Sequence, residues 1–167
     1  MNAITVKTIT MNALMKPRAL TLFVSLLLSS VAFQASAATL EVVEPWARPS
    51  PPGAPSAGFM RIKNLSDQDD VLLSASGDFA SRIELHLSSM VDGVMKMAEQ
   101  EQGVVIPAGG EVVFKPGSYH LMFMGLYQPF NSGEAYQVTL EFKQAGMMTV
   151  VLPVKTIDEA AKTQMHH

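Results

Sequence analysis

Two stretches of the chain alternate apolar and polar positions with unusual regularity. In 119–124, Tyr119, Leu121 and Phe123 alternate with His120, Met122 and Met124; in 82–88, Ile83, Leu85 and Leu87 alternate with Glu84, His86 and Ser88. In a β-strand successive side chains point to opposite faces, so each stretch predicts one packing face and one face bearing imidazole or thioether groups. Strand-like runs recur at 40–43, 58–65, 70–75, 82–90, 94–100, 111–115, 119–126, 135–143 and 147–156. Turn formers stand between them: Asp92-Gly93, Pro107-Ala108-Gly109-Gly110, Lys115-Pro116-Gly117 and Asn131-Ser132-Gly133. Short strands at this spacing predict an all-β antiparallel β-sandwich. Asp92-Gly93 predicts a hairpin that gathers Met90, Met95 and Met97 near one end of a sheet. The segment 49–55 holds four prolines and reads as an ordered loop joining the first two strands, with Trp46 and Phe59 as packing anchors on either side. The single helical candidate is 157–162.

The N-terminal region breaks this pattern. Lys7, Lys16 and Arg18 precede an apolar run over 19–28, and Ala35-Ser36-Ala37 follows it. Basic, apolar and small-residue regions in that order predict an export signal cleaved after Ala37. The apolar run is shorter than the ~20 residues of a membrane span. The expected organisation is a signal peptide over 1–37, one sandwich domain over 38–156, and a tail over 157–167 ending Met165-His166-His167. The mature protein is then expected to be soluble in the periplasm.

Charge and composition narrow the chemistry. Beyond Ala37 there are nine basic and fifteen acidic side chains, a net charge of −6, which argues against nucleic acid as a partner. About 130 residues suffice for a core without cross-links. The absence of cysteine excludes disulfides, thiol redox chemistry, thiolate zinc sites and a blue-copper centre. No GxSxG, HExxH or P-loop pattern is present, so binding rather than catalysis is expected. A metal must be held by His, Met or carboxylate. Thioether sulfur is a soft donor suited to Cu(I), and imidazole also suits copper. Met60, Met147 and Met148 read as packing residues. Met97, Met122 and Met124 fall out of phase with the apolar set, and two of them follow a histidine at fixed spacing. The alternative is a non-catalytic sandwich module that binds a partner or serves the envelope, with the Met-rich patch as an adhesive surface.

His86 is followed by ten residues and Met97, then by twenty-two residues and His120-Leu121-Met122. With Trp46-Ala47-Arg48, Gly58-Phe59-Met60, Gly93-Val94-Met95-Lys96-Met97 and Pro116-Gly117-Ser118-Tyr119, this arrangement resembles the periplasmic copper chaperones of the PCuAC type. Their His-to-Met-to-His-x-Met signature has a second gap about one residue shorter. The turn-rich stretch 102–116 is expected to absorb the difference. The resemblance implies a cupredoxin-like β-sandwich that binds one Cu(I) through His86, Met97, His120 and Met122. Met90, Met95 and Met124 would then be neighbouring or alternative donors. It further implies transfer of copper to periplasmic acceptors, notably toward the copper centres of cytochrome c oxidase, and a second, Cu(II)-holding site in the tail.

Overall fold

The structure is a computed structural model that describes residues 40–164. The expected signal peptide and the tail residues Met165, His166 and His167 lie outside the described residues. Ten strands and one helix follow in order: β1 (Leu40–Ala47), β2 (Ser56–Asn64), β3 (Asp70–Ser76), β4 (Ala80–Val91), β5 (Val94–Glu99), β6 (Val104–Ile106), β7 (Glu111–Phe114), β8 (Tyr119–Leu126), β9 (Ala135–Phe142), β10 (Gly146–Pro153) and α1 (Ile157–Gln164). They build a six-stranded sheet in the order β1-β2-β7-β8-β4-β5 and a four-stranded sheet in the order β10-β9-β3-β6. No helix among the described residues is long and apolar enough to cross a membrane.

The two sheets pack face to face over one apolar core. Ile62, Leu85, Phe114, Leu121 and Phe123 come from the larger sheet, and Leu72, Ile106, Val138, Leu140 and Leu152 from the smaller. Phe79 and Phe130 fill one end, with Phe79 edge-on to Phe123 at 5.1 Å and Phe130 at 5.9 Å from the same ring. Gly58 lies opposite Leu121, and a Cβ there would fall 2.6 Å from the Phe123 ring, so only glycine lets the ring lie flat against β2. Asp70 ties the start of β3, an interior strand of the smaller sheet, to the β9–β10 turn. Its buried carboxylate accepts hydrogen bonds from the amides of Val71, Gln144 and Ala145 at 2.7, 2.8 and 3.0 Å.

Three features depart from the sequence expectation. β1 runs on to Ala47 across a bulge in which Glu44 adopts φ 51°, and Trp46 and Phe59, the anchors on either side of the Pro-rich loop, are cross-strand partners within β1 and β2. β6 is an additional strand of three residues that pairs with β3, so the stretch between β5 and β8 carries the chain across to the smaller sheet and back. Met147 is exposed and does not pack; Met60 is buried and Met148 packs against the core.

The outer face of the larger sheet is partly covered. Trp46 and Phe59 stack at 4.5 Å, and with Ala57 they receive Ala160 of α1. The helix begins at a reciprocal cap: the Thr156 amide donates to the Glu159 carboxylate at 2.7 Å, and the Glu159 amide donates to Thr156 Oγ1 at 3.3 Å. The bonds that the Thr156 amide and hydroxyl donate to it hold the Glu159 carboxyl below its ordinary pKa. Four residues after the cap, Ala160 meets the aromatic pair.

Candidate metal centre

Three adjacent strands present His, Met and Glu side chains beside that aromatic patch. Across β4 and β8, His86 lies opposite His120, Glu84 opposite Met122 and Arg82 opposite Met124. Across β4 and β5, Ser88 lies opposite Met97, Met90 opposite Met95 and His86 opposite Glu99. Directly opposed residues share a face, so all of these project from the side of the sheet away from the core. Leu85, Leu121 and Phe123, one residue out of step, are buried on the inner side. Ala57 lies opposite Met122, so the patch capped by α1 abuts this cluster.

The hairpin that delivers Met97 follows from its turn. Asp92 and Gly93 both take left-handed conformations, with φ of 53° and 76°, which match the twist of a two-residue hairpin. A register set by that turn leaves Met90, Met95 and Met97 on one face, all of them solvent-exposed.

His86 and His120 form the centre, with ring centroids 5.8 Å apart and the rings inclined at 63°. Met97 and Met122 are each one pair removed from them, in opposite directions along the strands. The four therefore come from three adjacent strands. His120 is only 5 % exposed. Burial lowers its pKa from 6.5; a hydrogen bond to the Ser118 carbonyl opposes the shift, while His86 and Arg48 add to it. The Nδ1–H of His120 donates to the Ser118 carbonyl at 2.9 Å, which fixes the tautomer and leaves the Nε2 lone pair for an electrophile. His86 is arranged the other way round. Its Nε2–H donates to Glu84 at 2.9 Å, and its buried Nδ1 has no hydrogen-bond partner among the described residues. A buried imidazole nitrogen without a partner costs free energy that a bound ion would recover.

Met124 is engaged elsewhere, since an Arg82 guanidinium N–H points to its sulfur at 3.6 Å. Arg82 also approaches Glu84, at 3.3 Å. Sequence reasoning did not assign roles to Glu84, Glu99 or Arg48. The signal for the two carboxylates was present: Glu84 precedes His86 by two residues, and Glu99 is in phase with Met97.

Comparison with known proteins gives the chain a family and the fold a class. The profile of the family described as "LpqE-like: Putative lipoprotein LpqE-like" matches residues 40–154, and the chain belongs to this family. A relative from Leifsonia xyli subsp. xyli, "Putative lipoprotein Lxx21020", is 31 % identical over 121 residues, covering 72 % of this chain and 72 % of that one. The solution structure of CuI-DR1885 from Deinococcus radiodurans is 30 % identical with a TM-score of 0.53, covering 74 % of this chain and 84 % of that one. The copper-bound PCuAC domain from PmoF2 superposes with a TM-score of 0.59 at 20 % identity, covering 71 % and 93 %, and shows that the fold is of the PCuAC kind.

Proposed function

We propose that this protein is an exported copper chaperone that binds one Cu(I) through His86, Met97, His120 and Met122 and passes it to other copper proteins. The observation that carries the reading is the complementary state of the two imidazoles. Ser118 and Glu84 each occupy one ring nitrogen, leaving one lone pair on each of two rings 5.8 Å apart, beside thioethers on the same face. Two neutral nitrogens and two soft sulfurs suit a monovalent soft ion, because no charged ligand has to be neutralised. The copper and Cu(I) named for the related solved structures support the same cargo.

Graded exposure suits transfer rather than storage. His120 is buried, His86 and Met122 are half-buried, and Met97 on edge strand β5 is 52 % exposed. An acceptor's ligand can displace Met97 first, while the histidines keep hold of the ion. The N-terminal signal pattern and the putative-lipoprotein description of the family support an exchange outside the cytoplasm, in our reading in the periplasm. Acceptors on the route to cytochrome c oxidase copper centres fit such a donor.

The test is competition for Cu(I) between a chromophoric chelator and the reduced, processed protein. Wild type should take one equivalent, and His120→Ala and Met122→Leu should each bind at least about tenfold more weakly, the scale of a lost ligand or ligand support. Equal affinity in all three forms would overturn the assignment. Partner capture that persists after copper chelation, with no stoichiometric metal, would favour the adhesive-module alternative.

A further inference from the structure

His86 has two carboxylate neighbours that the Cu(I) reading does not use as metal ligands. One carboxylate oxygen from each of Glu84 and Glu99 and one ring nitrogen of His86 lie within 4.8 Å of one another. The fold builds this grouping in two ways: Glu84 and His86 share a face of β4, and Glu99 is placed opposite His86 by the β4–β5 register. Glu84 and His86 are held in place, with side chains 16 % and 14 % exposed and joined at 2.9 Å. The donors are oxygen, oxygen and nitrogen, a hard set quite unlike the thioethers at neighbouring register positions, such as Met122 opposite Glu84.

We propose that Glu84, His86 and Glu99 form a Cu(II) site that adjoins the Cu(I) site and shares His86 with it. Cu(II) favours nitrogen and oxygen ligands in tetragonal arrangements and binds such sets more strongly than the other divalent first-row ions do. Charge balance points the same way. Two carboxylates and a neutral imidazole neutralise a divalent ion, whereas two imidazoles and two thioethers leave Cu(I) with its single charge. The carboxylates also repel each other. Arg82 at 3.3 Å from Glu84 offsets part of that repulsion, and a bound cation removes the rest.

Sharing makes the two sites exclusive. A neutral imidazole has one lone pair, on either Nε2 or Nδ1. In the structure the proton is on Nε2, facing Glu84, and Nδ1 is free. Binding Cu(II) at Nε2 requires that proton to move to Nδ1, which withdraws His86 from the Cu(I) set. The proposal rests on the Cu(I) reading for this exclusivity but not for the Cu(II) site itself.

The test uses full-length mature protein carrying His166→Ala and His167→Ala, so that the tail imidazoles contribute nothing. Cu(II) is titrated at neutral pH against glycine as competitor and followed by electron paramagnetic resonance. The expected result is one Cu(II) per chain with the hyperfine signature of a single imidazole nitrogen and oxygen ligands. Glu99→Gln should weaken Cu(II) by about tenfold or more and leave Cu(I) affinity unchanged, whereas Met122→Leu should do the reverse. Prior loading with Cu(II) should slow Cu(I) uptake. Cu(II) affinity unaffected by Glu99→Gln and Glu84→Gln, or a spectrum showing two imidazole nitrogens, overturns the proposal. If Met122→Leu leaves Cu(I) affinity intact while Glu99→Gln still weakens Cu(II), the Cu(I) reading fails and the Cu(II) site stands.

Discussion

Strand β8 gives the sharpest test of the two-faced sheet, because Met122 and Phe123 are neighbours in sequence with opposite duties. Phe123 is fully buried, packs edge-on to Phe79 at 5.1 Å and near Phe130 at 5.9 Å, and covers Gly58. Phe123→Leu keeps an apolar side chain but loses both aromatic contacts, each worth about 0.5–1.5 kcal/mol beyond area burial. Together they predict a loss of about 1–3 kcal/mol. A domain of this size is stable by roughly 5–15 kcal/mol, and urea acts with a slope of about 1–3 kcal/mol per molar, so the midpoint should fall by about 1 M while the protein still folds. Met122→Leu conserves volume and should cost less than about 1.5 kcal/mol in the apo protein. Copper separates the two variants. At a free Cu(I) concentration about a hundredfold above the dissociation constant, binding adds about 2.7 kcal/mol. Wild type and Phe123→Leu should both gain this increment, and Met122→Leu should gain much less. Urea unfolding of the three proteins with and without buffered Cu(I) measures all five quantities. If Phe123→Leu loses the copper increment as fully as Met122→Leu does, the division of β8 into a packing face and a ligand face is wrong.

Acidification should act on Cu(I) binding at His120 later than at an ordinary histidine. Its pKa lies below 6.5, chiefly through burial, so protons compete for its Nε2 only at lower pH than for a solvent-exposed imidazole; chelator competition from pH 7 downward checks this. The same shift destabilises the apo fold in acid. Above 6.5 the group is neutral in both states, and below it the unfolded chain takes up the proton first, so stability should fall with pH in wild type and fall less in His120→Gln. Thr156→Ala removes the cap of α1 and should cost about 1 kcal/mol of helix stability; Trp46, the single tryptophan, lies under Ala160, so a red-shifted emission reports the loosened helix. Met97→Leu should speed release of Cu(I) to a competing chelator more than it changes apo stability, because Met97 is exposed and contributes little packing.

The strands carrying the site were legible because their alternation is strict. Leu85, Leu121 and Phe123 fall inside, and His86, His120 and Met122 outside, as period-two reasoning demands. The Asp92-Gly93 hairpin was equally readable, since few dipeptides accept two consecutive positive φ angles. β6 escaped notice because three residues show no periodicity, and its pairing with β3 is set by partners distant in sequence. Glu84 and Glu99 looked like ordinary solvated positions on half-exposed strands. Only the register that sets Glu99 opposite His86 gives them a shared neighbour. The role of α1 was hidden for a similar reason: a short helix shows what it can bury, but the Trp46–Phe59 patch it covers exists only once β1 and β2 are paired.

The register of three strands also explains why a soft-metal site can be both firm and open. β8 is interior to its sheet and hydrogen-bonded on both sides, so His120 is fixed by backbone, by burial and by the Ser118 carbonyl. β5 is the edge strand, every residue of it exposed, and its attachment to the site is the β4 ladder alone. Hydrogen-bonded support therefore falls from the interior strands β8 and β4 to the edge strand β5, and exposure of the candidate donors rises from buried His120 through half-buried His86 and Met122 to exposed Met97. An ion held by such a set meets its firmest ligand in the interior and its most yielding one at the rim. Under the proposed carrier role, moving the methionine of β5 onto an interior strand should keep the donor chemistry and slow release of the ion, because the exposed rim ligand would be gone.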